Sequence, residues 1–326
     1  MSLPNPSRKK ALIVGVSGQD GAFLAKFLIK KDYEVYGTSR NLSPENFTGL
    51  QYLKVDDVVI NLQMIPTDFE DVFRVIASVM PDEIYNLSGQ SSVGLSFFKP
   101  VEAFNSIALG TLYILESIRL LEGNIKLYNA GSGEVFGDTG GRPADELTVF
   151  KPASPYGVAK ATSTWQVTSY RDSYGLHAST GILFNHESVL RPEAYVTKKI
   201  VLSAARIANG SKETLSLGNI NISRDWGYAP EYVEAMWLML QRETPDDFII
   251  ATGTSVSLQY FVEQVFLGFG LDWNAHVEID RSLFRPSEIQ YGGADPSKAS
   301  NELGWNAKTS VEGLVRYLTD PAYDKS

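Results

Sequence analysis

Apolar residues follow two alternating periods along this chain. Short runs rich in β-branched and aromatic residues occupy positions 11–14, 34–37, 51–55, 83–87, 126–129 and 179–184, each about the length of a buried strand. Between these runs, apolar positions recur every three or four residues. Over 69–80, for example, Phe69, Val72, Phe73, Ile76 and Met80 share one helical face. Strands alternating with amphipathic helices predict an α/β fold of Rossmann type, a doubly wound parallel sheet. The alternation fades after about residue 185. Loops, a helix at Ala229–Gln241 and a short strand at 248–251 follow, and Val233, Trp237 and Leu240 of that helix form a core face. The expected organisation is a polar tail over 1–8, a main domain over 9–184, and a smaller α/β lobe over 185–326 partly interleaved with it.

Composition narrows the classes. With 326 residues and 44% apolar content, the chain buries a large core. It has no run of about 18 apolar residues of the kind a membrane span needs. The first ten residues are polar and lack the apolar segment of a signal peptide. Cysteine is absent, so disulfides and thiolate metal sites are excluded and a cytoplasmic location is expected. A net charge of −9 argues against a nucleic-acid surface, although converging arginines can still hold a phosphate. The three histidines, His177, His186 and His276, are too scattered for a metal site.

The first strand opens into Gly15, Val16, Ser17, Gly18, Gln19, Asp20 and Gly21, followed by a helix expected over 22–31. Gly15 and Gly18 permit a tight turn and close backbone approach to a pyrophosphate, and Gly21 lets the helix pack on the strand. The spacing is G-x-x-G-x-x-G. After the second strand comes Thr38-Ser39-Arg40, where an acidic residue would bind the ribose of NAD. Arg40 suits a 2′-phosphate, so NADP is the expected cofactor over NAD; the lesser alternative is a solvated loop arginine.

Two segments carry the chemistry. Ser154 and Pro155 suit the N-cap and first position of a helix that places Tyr156 and Lys160 one turn apart on one face. The ammonium is expected to lower the tyrosine pKa, so that the phenol exchanges a proton with a sugar hydroxyl during hydride transfer. Ser132 and Glu134 follow the strand at 126–129, at the edge where such sheets bind ligands. The Ser132 hydroxyl can bond the reacting oxygen. Glu134 adds a carboxylate that alcohol oxidation does not need but water elimination does. Taken singly, Ser132 reads as a loop stabiliser and Glu134 as a cap partner.

At these residues the chain resembles the extended short-chain dehydrogenase/reductases, and within them the GDP-mannose 4,6-dehydratases. The most specific stretches are GVSGQDGAFL (15–24), GILFNHES (181–188), VTKKI (196–200), LGNINISRDWGYAPEYVEAMWLMLQ (217–241), DFIIATG (247–253) and FRPSE (284–288). The resemblance implies oxidation of a nucleotide-linked hexose at C4 with Tyr156 as base. Glu134 then serves the loss of water across C5–C6, and hydride returns to C6. It also implies that Asn61, Leu62, Leu87, Gly89, Ser91, His186 and Arg191 join Arg40 and the glycine-rich turn around the cofactor. Ser91, Asn185, Glu187, Val196, Lys199, Arg224, Arg285 and Glu288 would line the substrate pocket with Ser132, Glu134 and Tyr156. Two alternatives stay open among these: Arg224-Asp225 as an internal ion pair, and Arg285 as a loop anchor.

The chain departs from the family pattern at several points. Thr-Ser-Glu reads Ser132-Gly133-Glu134, and Ala153 stands where arginine precedes Ser-Pro-Tyr. Asn61-Leu62 stands in for Asp-Leu, and Pro192 follows Arg191 where glycine is usual. The segment 40–50 is short and lacks paired arginines. In the family that loop supports a tetramer, so a homodimer is expected here, with a tetramer as the alternative. Competing readings of function are a 4-reductase or epimerase of a GDP-linked keto sugar and a non-catalytic NADP-binding sensor.

Overall fold

The computed structural model describes residues 8–320. The expected tail therefore lies outside the described residues except for Arg8, whose guanidinium meets Asp32 at 2.8 Å. The first half runs β1 Lys10–Val14, α1 Gln19–Lys30, β2 Glu34–Ser39, α2 Thr48–Tyr52, β3 Ile60–Gln63, α3 Phe69–Val79, β4 Glu83–Asn86, α4 Val93–Phe98, α5 Pro100–Phe104, α6 Gly110–Leu121 and β5 Lys126–Ala130. It continues with α7 Pro155–Tyr174, β6 Ala178–Leu183, β7 Asn185–Glu187, α8 Val196–Ala208, β8 Leu215–Leu217, β9 Ser223–Tyr228, α9 Ala229–Gln241, β10 Phe248–Ile250, β11 Ser255–Ser257, α10 Leu258–Gly268, β12 Val277–Ile279 and β13 Tyr291–Gly292.

Seven parallel strands form the main sheet in the order β10-β6-β5-β4-β1-β2-β3. The strand order reverses beside β1, and helices cover both faces, which is the doubly wound arrangement. Ala11, Ile13, Tyr85 and Tyr128 point into the core on the α1 and α9 side; Leu12, Val14, Ile84 and Leu127 point into the core on the α3 and α6 side. Alternate strand residues are thus buried on both faces, which explains the near-continuous apolar runs.

The third strand departs from expectation. The apolar run at 51–55 ends α2 and continues as loop, and Leu50, Leu53 and Val55 pack into the α1-side core. The strand itself is Ile60–Gln63, at the edge of the sheet and half solvated. Apolar content by itself does not separate a short strand from a buried turn of helix.

After β6 the chain builds a second layer and then returns. Strands β11, β9 and β13, with β7 paired to β9, form one small sheet, and β8 with β12 another. Helices α8 and α10 pack on them around Ile200, Leu217, Trp226, Phe261 and Phe266. Between these pieces, α9 packs on α1 and β10 joins the main sheet. Among the described residues one helical run, Pro100–Leu121, has the length and hydropathy of a span. Its Ile114, Leu115 and Ile118 are buried against Val72, Val75 and Ile76 of α3, so it serves the sheet as a core helix.

Candidate active site

Parallel strands place the carboxyl ends of β1, β4, β5 and β6 at one edge, and the glycine-rich turn, Gly89 and Ser132 follow them there. Gly15 adopts φ +94°, and a Cβ on it would meet the Leu87 and Ser88 backbone at 3.2 Å, so β1 and the loop after β4 touch at the switch point. A Cβ on Gly21 would sit 2.5 Å from the Gly15 carbonyl, which brings α1 hard against the turn. Gly18 is the N-cap of α1, without a side-chain cap, and the helix begins at Gln19, three residues earlier than its apolar period implies. The first-turn amides are therefore open to an anion, with the positive end of the helix behind them. Ser17 is exposed beside them, and Arg40 is exposed at the end of β2, its carbonyl accepting from Gln63 at 3.2 Å. Gly89 takes φ +124° because Ile107 leaves no room for a Cβ. Asn61 and Leu62 fall short of this edge. They lie inside β3, opposite Gly37 and Thr38, and Gln63 and Met64 come closer to it.

The catalytic candidates meet at the start of α7. Ser154 caps the helix through the Gly157 amide at 3.0 Å, and Tyr156 and Lys160 project into the interior together. The Lys160 ammonium lies 5.8 Å from the Tyr156 ring centre and donates to the Ala130 carbonyl at the end of β5, at 2.6 Å. Burial lowers the Lys160 pKa to about 8, partly offset by the charge of Asp20. Burial also pushes the Tyr156 phenol up, against the lowering expected from its lysine; contact with the Ser132 hydroxyl and the charge of Arg191 pull in the other direction. Desolvation is the largest cause, and the Lys160 ammonium donates to the Ala130 carbonyl.

Ser132 serves two partners. Its hydroxyl accepts from the Glu134 amide at 3.3 Å, as the loop-stabilising reading requires, and also contacts the Tyr156 phenol. Burial raises the pKa of the Glu134 carboxyl, and Arg224 and Arg285 partly oppose the shift. Both arginines flank Glu288 at 3.6 Å, and one Arg224 nitrogen and one Glu288 oxygen are buried without a hydrogen-bond partner. Arg224 does not pair with Asp225. Asp225 accepts from the Thr252 and Gly253 amides, while Arg224 donates to the Ser223 and Ile289 carbonyls and faces the cleft. A buried guanidinium with a spare donor beside an acid suits an anionic ligand.

The remaining candidates line the walls. Arg191 meets Glu187 at 3.1 Å and lies 3.7 Å above the Tyr195 ring. The Tyr195 hydroxyl bonds Ser91 at 2.5 Å, which joins the loop after β4 to the lobe across the cleft. Tyr195 was not foreseen; an aromatic residue just before VTKKI was the available signal. His186 is buried against the glycine-rich turn through Asp20 at 2.8 Å. Asn185 is exposed beside it. Val196 packs in the lobe core, and Lys199 donates to the Ser216 carbonyl, so both are held by the lobe itself.

The profile of the GDP-mannose 4,6 dehydratase family matches residues 12–318. The chain belongs to that family. It is 44% identical over 323 residues to GDP-mannose 4,6 dehydratase 1 of Arabidopsis thaliana, covering 96% of this chain and 89% of the relative. It is 41% identical over 341 residues to GDP-mannose 4,6-dehydratase of Vibrio cholerae, covering 94% and 92%. Among solved structures, UDP-glucose 4-epimerase of Thermus thermophilus in complex with NAD superposes with a TM-score of 0.84 at 23% identity, over 97% of this chain and 100% of the other. That likeness bears on the fold, a doubly wound α/β architecture.

Proposed function

We propose that this family member is an NADP-dependent 4,6-dehydratase of GDP-mannose that forms GDP-4-keto-6-deoxymannose and water. The observation that carries the reading is Glu134. Its half-buried carboxyl is held above its usual pKa by desolvation, close enough to Tyr156 to act on it and within the fields of Arg224 and Arg285. Alcohol oxidation needs Ser132, Tyr156 and Lys160; elimination needs one more acid–base group, and the raised pKa of Glu134 supports that role.

The open amides of α1, the uncapped Gly18 and the exposed Arg40 suit a dinucleotide pyrophosphate and a 2′-phosphate. A nicotinamide dinucleotide in this cradle supplies the acceptor and donor of hydride. The phenolate form of Tyr156, favoured by Ser132 and Arg191 against burial, takes the C4 hydroxyl proton as that carbon is oxidised, with the Lys160 ammonium behind it. The new carbonyl acidifies C5. Glu134 removes the C5 proton and delivers a proton to the departing C6 hydroxyl, which leaves as water. C6 then receives hydride and C5 is reprotonated, balancing the proton taken at C4. Arg224 and Arg285 hold the diphosphate, with Glu288 setting their spacing.

Self-association is part of the same proposal. Phe98 (83% exposed), Val101 (70%) and Trp165 (57%) lie on α4, α5 and α7, around a groove of about 610 Å³ lined by Pro100, Phe104, Ala153 and Val158. An apolar helical face of this kind favours a homodimer. Incubation with GDP-mannose and substoichiometric NADP tests the activity. A 4-keto-6-deoxy product without net NADPH consumption is expected. Stoichiometric consumption on a keto sugar, or binding without turnover, would establish the reductase or sensor reading instead.

A further inference from the structure

Asp20 and His186 are 166 residues apart in sequence, yet their side chains meet at 2.8 Å in the interior. Asp20 belongs to the first turn of α1, beside the open amides, and His186 to β7, at the mouth of the catalytic cleft. Both imidazole nitrogens face acceptors: Nε2 the Asp20 carboxylate, and Nδ1 the Phe184 carbonyl at 2.7 Å. A ring with an acceptor at each nitrogen donates to both only when doubly protonated. Gln19 completes the joint. Its amide donates to Asp20 Oδ1 at 3.0 Å and to the His186 carbonyl at 3.2 Å, and its oxygen accepts from Ser188 at 2.8 Å.

We infer that Asp20 and His186 form a positioning ion pair that locks the glycine-rich turn to the wall of the catalytic cleft and makes cofactor affinity depend on the protonation of His186. The inference rests on the proposed nicotinamide dinucleotide cofactor and adds a regulation of its site. The imidazolium neutralises a carboxylate that would otherwise repel a pyrophosphate at the same helix terminus.

Other groups face the pair. Arg191 lies near both members, the Tyr232 ring stacks on His186 with centres 4.6 Å apart, and Lys160, Tyr128 and Tyr232 sense the Asp20 charge. Of these only His186 is hydrogen-bonded to the Asp20 carboxylate. Burial and Arg191 disfavour its proton; the Asp20 charge and both hydrogen bonds outweigh them, so its pKa is raised above 6.5. The Asp20 pKa falls from 3.8 to about 2 despite burial, because of His186 first and Gln19 after it. The pair is thus charged once Asp20 has ionised, and its contribution is lost as pH rises through the raised His186 value.

The test uses NMR of the imidazole rings and NADPH titration across pH 6 to 9.5, on the whole protein and on Asp20→Asn, with His186→Gln as the second variant. The chain has only three histidines, and burial holds His177 near pKa 4, which simplifies assignment. The wild-type His186 ring should stay doubly protonated well above pH 6.5. In Asp20→Asn the amide can donate to a neutral ring, so the joint keeps its shape while the proton leaves at or below the ordinary pH. NADPH affinity of the wild type should fall on the order of tenfold as the His186 ring titrates, the scale of one charge-assisted hydrogen bond; both variants should lose that step and keep only the change that follows Lys160, at or below about pH 8. A neutral His186 ring in the wild type near pH 6.5, or a variant that keeps the wild-type slope, overturns the inference. If the wild type fails to bind NADPH at every pH, the cofactor reading falls and the coupling with it, while the ring titration still decides whether the ion pair exists.

Discussion

Gly18 and Gly21 sit three residues apart in one turn, and the structure assigns them opposite roles that Gly→Ala substitution separates. A methyl group on Gly21 would lie 2.5 Å from the Gly15 carbonyl oxygen and 2.6 Å from Val16 Cα, both backbone atoms that cannot rotate aside. Ordinary contact needs almost 1 Å more, so α1 must lift from β1 while Ala22, Leu24 and Leu28 stay buried against the sheet. Overpacking of this kind costs about 1–3 kcal/mol, and a rigid backbone puts Gly21→Ala at the upper end. At roughly 2 °C per kcal/mol for a chain this long, Tm should fall by about 4–6 °C. A methyl on Gly18 meets only the Gly15 oxygen, at 3.5 Å, and the φ of −78° suits any residue, so its stability cost should stay under about 1 kcal/mol. That methyl would instead stand where a pyrophosphate approaches the amides, and NADPH affinity should fall at least tenfold. Thermal unfolding of the cofactor-free protein and NADPH titration read the two effects separately. Equal Tm losses in the two variants, or a Gly21→Ala protein that melts with the wild type, would refute the packing argument.

Tyr156→Phe should lower kcat by about 10²–10⁴-fold, the usual worth of a general acid–base group, with NADPH affinity in titration within about threefold of wild type. Glu83 is buried at the opposite end of the sheet, bonded by Tyr33 at 3.0 Å, Tyr85 at 2.7 Å and Gln241 at 3.2 Å, with Lys9 at 3.3 Å. Glu83→Ala leaves those donors unpaired, so unfolding by urea should show a loss of about 3–5 kcal/mol while kcat of the folded fraction is unchanged. Val101→Asp places a charge on the apolar α5 face. Sedimentation should show the wild type as a dimer and the variant as a monomer at the same concentration.

The legible part of the fold followed from burial that is continuous along a strand. β1, β4, β5 and β6 are covered on both faces, so their apolar runs stand out. β3 escaped because Ile60-Asn-Leu-Gln63 at a solvated edge is less apolar than the neighbouring run at 51–55, which packs as helix and loop. The glycine turn and the Tyr156–Lys160 spacing were legible because each is set within a single turn. The sign of the Tyr156 pKa shift was not, since it depends on how deeply Val93 of α4 and Ile107, just before α6, bury the phenol, and sequence spacing says nothing of that. Pairs that span the cleft, Asp20 with His186 and Ser91 with Tyr195, join segments more than a hundred residues apart. Only the folded chain brings them together. The ambiguous Arg224-Asp225 dipeptide resolved in the same way: alternate strand residues face opposite sides, so adjacent charges in β9 went to different partners.

The central claim is that Glu134 turns a hydride-transfer site into a dehydrating one without consuming cofactor. The most direct measurement follows GDP-mannose deuterated at C4, with substoichiometric NADP, by mass spectrometry and NMR of the product. The account predicts a 4-keto-6-deoxy sugar with the deuterium at C6, and loss of that product when Glu134 is replaced by Gln. A product that retains the C6 hydroxyl, or unchanged dehydration by Glu134→Gln, would contradict it.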